Sequence, residues 1–78
     1  MSDPVPTVLD YLRAHQYLYY VTQREVLTDH EYDLFGRWSG KEYKGGSDRA
    51  ESYTTTQTNL ACDILARRMP VFPREFQP

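Results

Sequence analysis

Apolar side chains recur along this chain at helical rather than strand spacing. Val8, Leu12, His15 and Tyr19 lie along one stripe, flanked by Tyr11 and Leu18 on one side and Leu9 and Tyr20 on the other. From Val8 to about Gln23 the chain holds good helix formers and neither Gly nor Pro, and Thr7 stands where an N-cap belongs. A stripe this broad exceeds what a surface helix needs and predicts contacts on more than one side. Thr28-Asp29-His30-Glu31 reads as a capping box, in which the Thr28 hydroxyl accepts from the Glu31 amide and Glu31 reaches back. It opens a second helix, about residues 29–39, with Leu34, Phe35 and Trp38 on its apolar side. Gly36 weakens this helix slightly, and Gly40 sits where a glycine ends one. The linker around Arg24 to Leu27 is short, so these two helices should be antiparallel or steeply crossed neighbours.

Lys41 to Gly46 is a polar turn region ending in Gly45-Gly46, after which Ser47 or Asp48 can cap a third helix over about 48–69. Its apolar positions are Ala50, Tyr53, Leu60, Ala61, Ile64 and Leu65, interrupted at Gln57. The Thr54-Thr55-Thr56 run makes the first half the weaker half, because β-branched residues crowd a helix. Arg67 and Arg68 suit its last turn through the dipole, and Pro70 ends it. The tail from 70 to 78 is expected to be extended, with Phe72 and Phe76 docking on the chain's own core. Residues 1–6 form an extended lead-in, since Pro4 and Pro6 each disfavour helix in the residue before them. The fold expected is all-α: a single domain over 1–78, comprising a helical pair at 7–39, a third helix at 47–69 and a tail.

Composition narrows the function more than it names it. A chain of 78 residues buries only about 60 % of its unfolded surface, which leaves little stability to spare. Cys62 is the single cysteine, so neither an intramolecular disulfide nor a multi-cysteine zinc site is available. On sequence grounds Cys62 is expected to be buried. There is no run of about 18 apolar residues and no basic, apolar leader at the acidic, proline-bearing start, so the chain is read as soluble and cytoplasmic. The net charge is −2 but uneven: residues 1–33 carry six acids against Arg13 and Arg24, whereas 34–78 carry seven basic residues against five acids. An overall basic footprint for nucleic acid is absent.

The segment from Asp10 to Val21, ending in Tyr19-Tyr20-Val21, together with Thr28-Asp29-His30-Glu31-Tyr32-Asp33-Leu34, resembles the N-terminal Ia domain of bacterial NAD-dependent DNA ligases over roughly residues 9–38. That family's pattern is a tyrosine-rich helix ending in Tyr-Tyr-Val or Tyr-His-Val, a short acidic turn, then Ser-Asp-x-Glu-Tyr-Asp-x-Leu. The resemblance implies a site for the nicotinamide mononucleotide half of NAD. Tyr19 would stack on the nicotinamide ring with Tyr20 beside it. Asp29 and Asp33 would serve the ribose and the nicotinamide end, and Tyr32 would reach the phosphate side. The chemistry is coherent, because a pyridinium cation favours an aromatic face and carboxylates accept from hydroxyl and amide groups. Two departures stand out. The family's acidic, proline-containing turn is replaced by Thr22 to Leu27, and the Lys-x-Asp-Gly nucleophile of the adenylation domain has no counterpart among these residues.

No nucleophile–base pair can be assembled, so no catalytic residue is assigned and the chain is not read as an enzyme. His30 lies beside two acids, but no second His or Cys is placed to complete a metal site, and no metal is expected. His15, on the apolar stripe, is expected to be a satisfied structural histidine. Asp29 and Glu31 are explained by helix capping alone, which leaves Asp33 as the better site candidate. Two functions follow. The leading one is a protein-interaction or inhibitor module on this helical scaffold, suiting a phage or mobile-element accessory protein that acts on a host ligase or a CRISPR defence complex. The alternative is a free-standing module binding NAD or nicotinamide mononucleotide through Tyr19, Tyr20, Asp29, Tyr32 and Asp33. A third reading, nucleic-acid binding through Arg37, Lys41, Lys44 and Arg49, predicts steep salt dependence.

Overall fold

The computed structural model of the protein describes residues 6–40 and 46–76. Its described residues form α1 (Val8–Gln16), a π-helical turn (Tyr17–Val21), α2 (Asp29–Ser39), a 3₁₀ turn (Ala50–Ser52) and α3 (Thr55–Leu65). No strand occurs among the described residues, and the chain is a small three-helix all-α domain. Lys41 to Gly45, and with them the expected Gly45-Gly46 turn and the two lysines, lie outside the described residues. So do the start of the lead-in and the last two residues of the tail.

Each α-helix begins in the same way. Thr7 Oγ1 accepts from Asp10 N at 3.1 Å while Asp10 Oδ2 accepts from Thr7 N at 3.0 Å. Thr28 and Glu31 repeat the exchange, as do Thr54 and Gln57. Each box satisfies backbone N–H groups that have no intrahelical partner. The third box corrects two expectations. Neither Ser47 nor Asp48 caps α3; Ser47 instead accepts from Arg49 N in a local turn. The helix starts at Thr55, since the threonine run is its start signal rather than a weak interior. Gln57, which seemed to interrupt the apolar stripe, is buried, and its Nε2 donates to Asp10 Oδ1 at 3.2 Å. The caps of α1 and α3 are therefore joined through one amide.

The helix ends depart from expectation for one shared reason. The first helix, expected to run to Gln23, becomes π-helical at Tyr17, with Thr22 N bonding Tyr17 O at 3.2 Å. Gln23 then turns left-handed at φ 55° and lets Arg24 N reach Leu18 O at 2.9 Å. Likewise α3 stops at Leu65 rather than Met69. Arg67 adopts φ 62°, and Arg68 N bonds Asp63 O at 2.8 Å. A left-handed residue after a helix is ordinarily glycine, so neither stop announces itself in the sequence. Gly40, at φ 67°, ends α2 as expected.

The core gathers Tyr11, Leu12, Ala14 and Leu18 from the first helical segment, Phe35 from α2, and Leu60, Ala61 and Ile64 from α3. Only Phe35 and Gly36 are buried on α2; Leu34 and Trp38, expected on its apolar side, stand 41 % and 43 % exposed. Ala50 and Leu65 likewise fall outside the core, because the buried face of the third segment runs through Tyr53, Gln57, Leu60, Ala61 and Ile64. Cys62 is exposed, a correction that follows from the same periodicity: it lies between Ala61 and Ile64 but on the opposite side of α3. The tail docks as expected. Val71, Phe72 and Phe76 pack against the core, Phe76 with ring centroids 5.1 Å from Phe35 and 5.0 Å from Trp38. His15 is buried, and its Nε2 donates to the Val71 carbonyl at 2.7 Å, tying the tail to α1. This is the structural histidine expected.

Candidate functional site: a cluster of tyrosines beside two carboxylates

The π-helical turn decides what Tyr19 can do. A π turn takes an extra residue per turn, so the fourth residue after His15 no longer comes round to the same face. Leu18 drops into the core with no exposed surface, and Tyr19 leaves the apolar stripe and stands 37 % exposed. Its ring meets Tyr20 edge-on at 4.9 Å and lies tilted against Tyr32 at 5.7 Å between centroids. Tyr20 in turn lies over Gly46, where any Cβ would collide with its ring. A larger residue at this position would have to displace the Tyr20 ring.

Tyr32 is half-buried behind Tyr19, with its hydroxyl hydrogen-bonded to the buried Gln16 side chain. Its pKa is pushed up to about 12, first by loss of solvent and further by the nearby Tyr20, Tyr53 and Tyr19 hydroxyls, against the opposing Gln16 hydrogen bond. Tyr53 closes the far side of the cluster. It packs edge-on against Tyr17 at 5.4 Å, carries the Arg13 guanidinium 4.6 Å above its ring, and donates its hydroxyl hydrogen to Ser47 O. Burial raises its pKa as well, although the hydrogen bond to Ser47 and the Arg13 charge oppose the shift. The result is two sets of touching rings, Tyr19 with Tyr20 and Tyr32, and Tyr17 with Tyr53, with the Tyr32 hydroxyl committed to Gln16 and that of Tyr53 to Ser47.

Three of the five residues assigned from sequence are joined by ring contacts, and the other two lie on the same helix as Tyr32. Tyr19, Tyr20 and Tyr32 are in ring contact, while Asp29 and Asp33 sit one turn apart on α2, flanking Tyr32. Their commitments, however, differ from those of an open clamp. A planar ring held between two others needs about 7 Å between them, two van der Waals layers; Tyr19 and Tyr32 stand closer than that. Only the outer face of Tyr19 is left for stacking. Asp33, which seemed to lack a local role, pairs with Arg37 one turn on, Oδ2 to Nε 3.0 Å. That correction was within reach of i,i+4 spacing. Asp29 is exposed in the first turn of α2, beside Glu31, whose carboxyl is held below its usual range by its hydrogen bonds to Thr28. Two acids at a capped helix start oppose a phosphate there. No group of three or more His, Cys, Asp or Glu side chains able to hold a metal ion occurs among the described residues.

One feature escaped the sequence reading altogether. A groove of about 550 Å³ lies at the C-terminal end of α3, lined by Val26, Ile64, Leu65, Arg67, Arg68, Met69, Pro70 and Val71. A smaller concavity of about 390 Å³, between the lead-in and α3, is lined by Pro6, Thr55, Asn59, Leu60, Asp63 and Met69 among others. Neither touches the tyrosines. The only sequence sign of the first was Arg67-Arg68, which reads as dipole compensation as long as the helix is thought to continue. No helix is long and apolar enough to cross a membrane among the described residues. No known protein family, curated protein or solved structure matches this chain.

Proposed function

We propose that this chain is a non-catalytic protein-interaction module built on a helical scaffold that resembles the ligase Ia domain. The observation that carries the reading is a division of labour on the surface. The rings that would hold a nicotinamide pack on one another and Asp33 pairs with Arg37, while Leu34 and Trp38 stand exposed one turn apart on α2. Trp38 stacks on Phe35 and packs against Phe76, yet much of it stays exposed. A pre-organised aromatic anchor is the kind of side chain that dominates interface energies. In its most specific form the proposal is an accessory protein of a phage or mobile element that occupies a host ligase or a CRISPR complex. Its support is the small size, the acidic front half and the aromatic content.

The test uses immobilised protein and host lysate, comparing wild type with Trp38→Ala and Leu34→Ser, each checked for helical content. A discrete partner captured by wild type and lost with both variants is the expected result. Capture that is indifferent to both substitutions removes this face from the proposal.

A second reading is favoured by one observation: Tyr19 keeps part of its ring open beside Asp29 and Asp33. A nicotinamide mononucleotide or NAD module would use that outer face, with affinity weakened by the missing second wall. Titration of either ligand to millimolar concentration, followed by NMR at the amides of Tyr19, Asp29 and Asp33, decides it. Unmoved amides end the reading. Nucleic-acid binding has less support, because Arg37, central to that surface, is paired with Asp33.

A further inference from the structure

The groove at the end of α3 is made by the way that helix stops. Ala66 N still bonds Cys62 O, but Arg67 turns left-handed, and the Arg68 and Met69 amides fold back onto Asp63 O at 2.8 and 3.3 Å. The chain therefore doubles back instead of running on, and Met69, Pro70 and Val71 become one wall facing Ile64 and Leu65. Val26, from the linker before α2, forms the other. The floor is apolar and continuous with the core, since Ile64 is buried. Val26 and Leu65 stand 40 % and 39 % exposed on the walls. Arg67 and Arg68 are exposed at the rim, and neither has an acidic partner among the described residues.

Two points distinguish this rim from ordinary helix-end chemistry. The last turn of α3 holds no basic residue, so Arg67 and Arg68 stand beyond the helix rather than in the turn where a cation offsets its dipole. Arg67 occupies a left-handed position that glycine fills without steric cost, so an arginine there carries strain that the fold itself does not need. The groove is also open rather than enclosed, and apolar in its floor. That disfavours polyphosphates and suits side chains of a polypeptide.

We propose that this groove docks an acidic segment of a partner protein, one that seats apolar side chains between Val26, Leu65 and Val71 and sets its carboxylates against Arg67 and Arg68. The inference rests on the reading of the chain as an interaction module and names the chemistry of what it binds, at a face separate from Leu34 and Trp38. Guanidinium groups on the rim steer a negatively charged segment and fix its register, while the floor provides the burial. Charge complementarity selects the occupant: a segment with the same apolar anchors but basic flanks meets two like charges.

The probe is a fluorescein-labelled peptide about twelve residues long, alternating Glu with Leu and Phe, long enough to cross such a groove. Its controls are the same peptide with Lys for Glu and with Ser for Leu and Phe. Wild-type protein should bind the acidic peptide, with salt weakening the complex, and amide shifts should centre on Val26, Leu65 and Val71. Arg67→Gly and Arg68→Ser should each weaken binding at least about tenfold when the carboxylate contact is desolvated. Arg67→Gly also relieves the left-handed position, so it should melt no lower than wild type, which separates lost contacts from lost folding. Equal binding of the Lys peptide, shifts centred elsewhere, or a single-stranded oligothymidine that moves the same amides would overturn the proposal. So would self-association of the free protein that Arg67→Gly abolishes, since a second copy would then be the occupant. Failure here with lysate capture still dependent on Trp38 removes only the groove; peptide binding retained when that capture fails removes only the α2 face.

Discussion

His15 shows how one buried side chain makes the fold sensitive to pH. Its pKa is lowered, chiefly because burial penalises the imidazolium, although the Val71 carbonyl and the Glu31 charge pull the other way. The unfolded chain, with an ordinary value near 6.5, therefore takes up a proton more readily than the folded one. Stability is fully present above about pH 6.5 and falls as the pH drops below it, through the lowered folded value. Urea midpoints taken from pH 7.5 to 5.0 should decline in wild type and lie flatter in His15→Gln. A slope unchanged by that substitution would mean that another group titrates. Glu31 acts in a separate window: its pKa is lowered from 4.5, so its contribution persists until the pH falls to that range. Tyr32 works at the opposite end of the scale. Its phenol holds its proton until about pH 12, so the stability it supplies is complete below about pH 10 and lost as the pH rises toward the folded value. An absorbance titration at 295 nm should show a late-ionising phenol that Tyr32→Phe deletes. If the latest step survives in that variant, the Tyr32 hydroxyl is not the shielded one.

At the scale of the element, what the sequence revealed depended on whether the signal was written in side chains or in a backbone choice. The Thr28 box was legible because threonine and glutamate stand three apart before an apolar run; the Thr54 box has the same form with glutamine, and was obscured by the β-branched run that contains it. The π turn and the two left-handed stops were not legible. They rest on which carbonyl an amide selects, and Gln23 and Arg67 occupy positions where glycine is the usual sign. For the same reason the grouping of Tyr19, Tyr20, Tyr32, Asp29 and Asp33, which came from the resemblance, carried no sign of the turning of Tyr19 off the core stripe. Gln57 now carries a prediction that sequence alone could not make. Gln57→Ala removes both the acceptor for Thr54 N and the donor to Asp10, and should cost about 1–2 kcal/mol. Gln57→Glu keeps the cap but sets two carboxylates against each other, so adding Asp10→Asn to it should restore much of the loss. Additive costs in chemical denaturation would show that the caps of α1 and α3 are not coupled.

The whole molecule is held together in part by the segment after α3, whose two phenylalanines dock on the core. Phe72 and Phe76 pack on Phe35, Phe76 backs Trp38, and Val71 accepts from His15, so residues 71–76 close the side of the core that α2 leaves open. A domain of this size has little core to spare, and aromatic pairs of this geometry contribute about 0.5–1.5 kcal/mol each beyond the area they bury. The tail should therefore unfold with the helices and not before them. Trp38 is the single tryptophan and lies at the junction, which makes its fluorescence a reporter of tail docking. Thermal melts followed by Trp38 emission and by far-ultraviolet circular dichroism should coincide in wild type, as a two-state transition requires. Phe76→Ala should shift the native emission to the red and cost about 2 kcal/mol for a half-buried ring, yet leave the two transitions superimposed. An emission change that precedes the loss of helix would make the tail a separate unit. The setting of the exposed Trp38 would then follow a docking equilibrium, and partner capture through α2 should weaken in Phe76→Ala even where the helices remain intact.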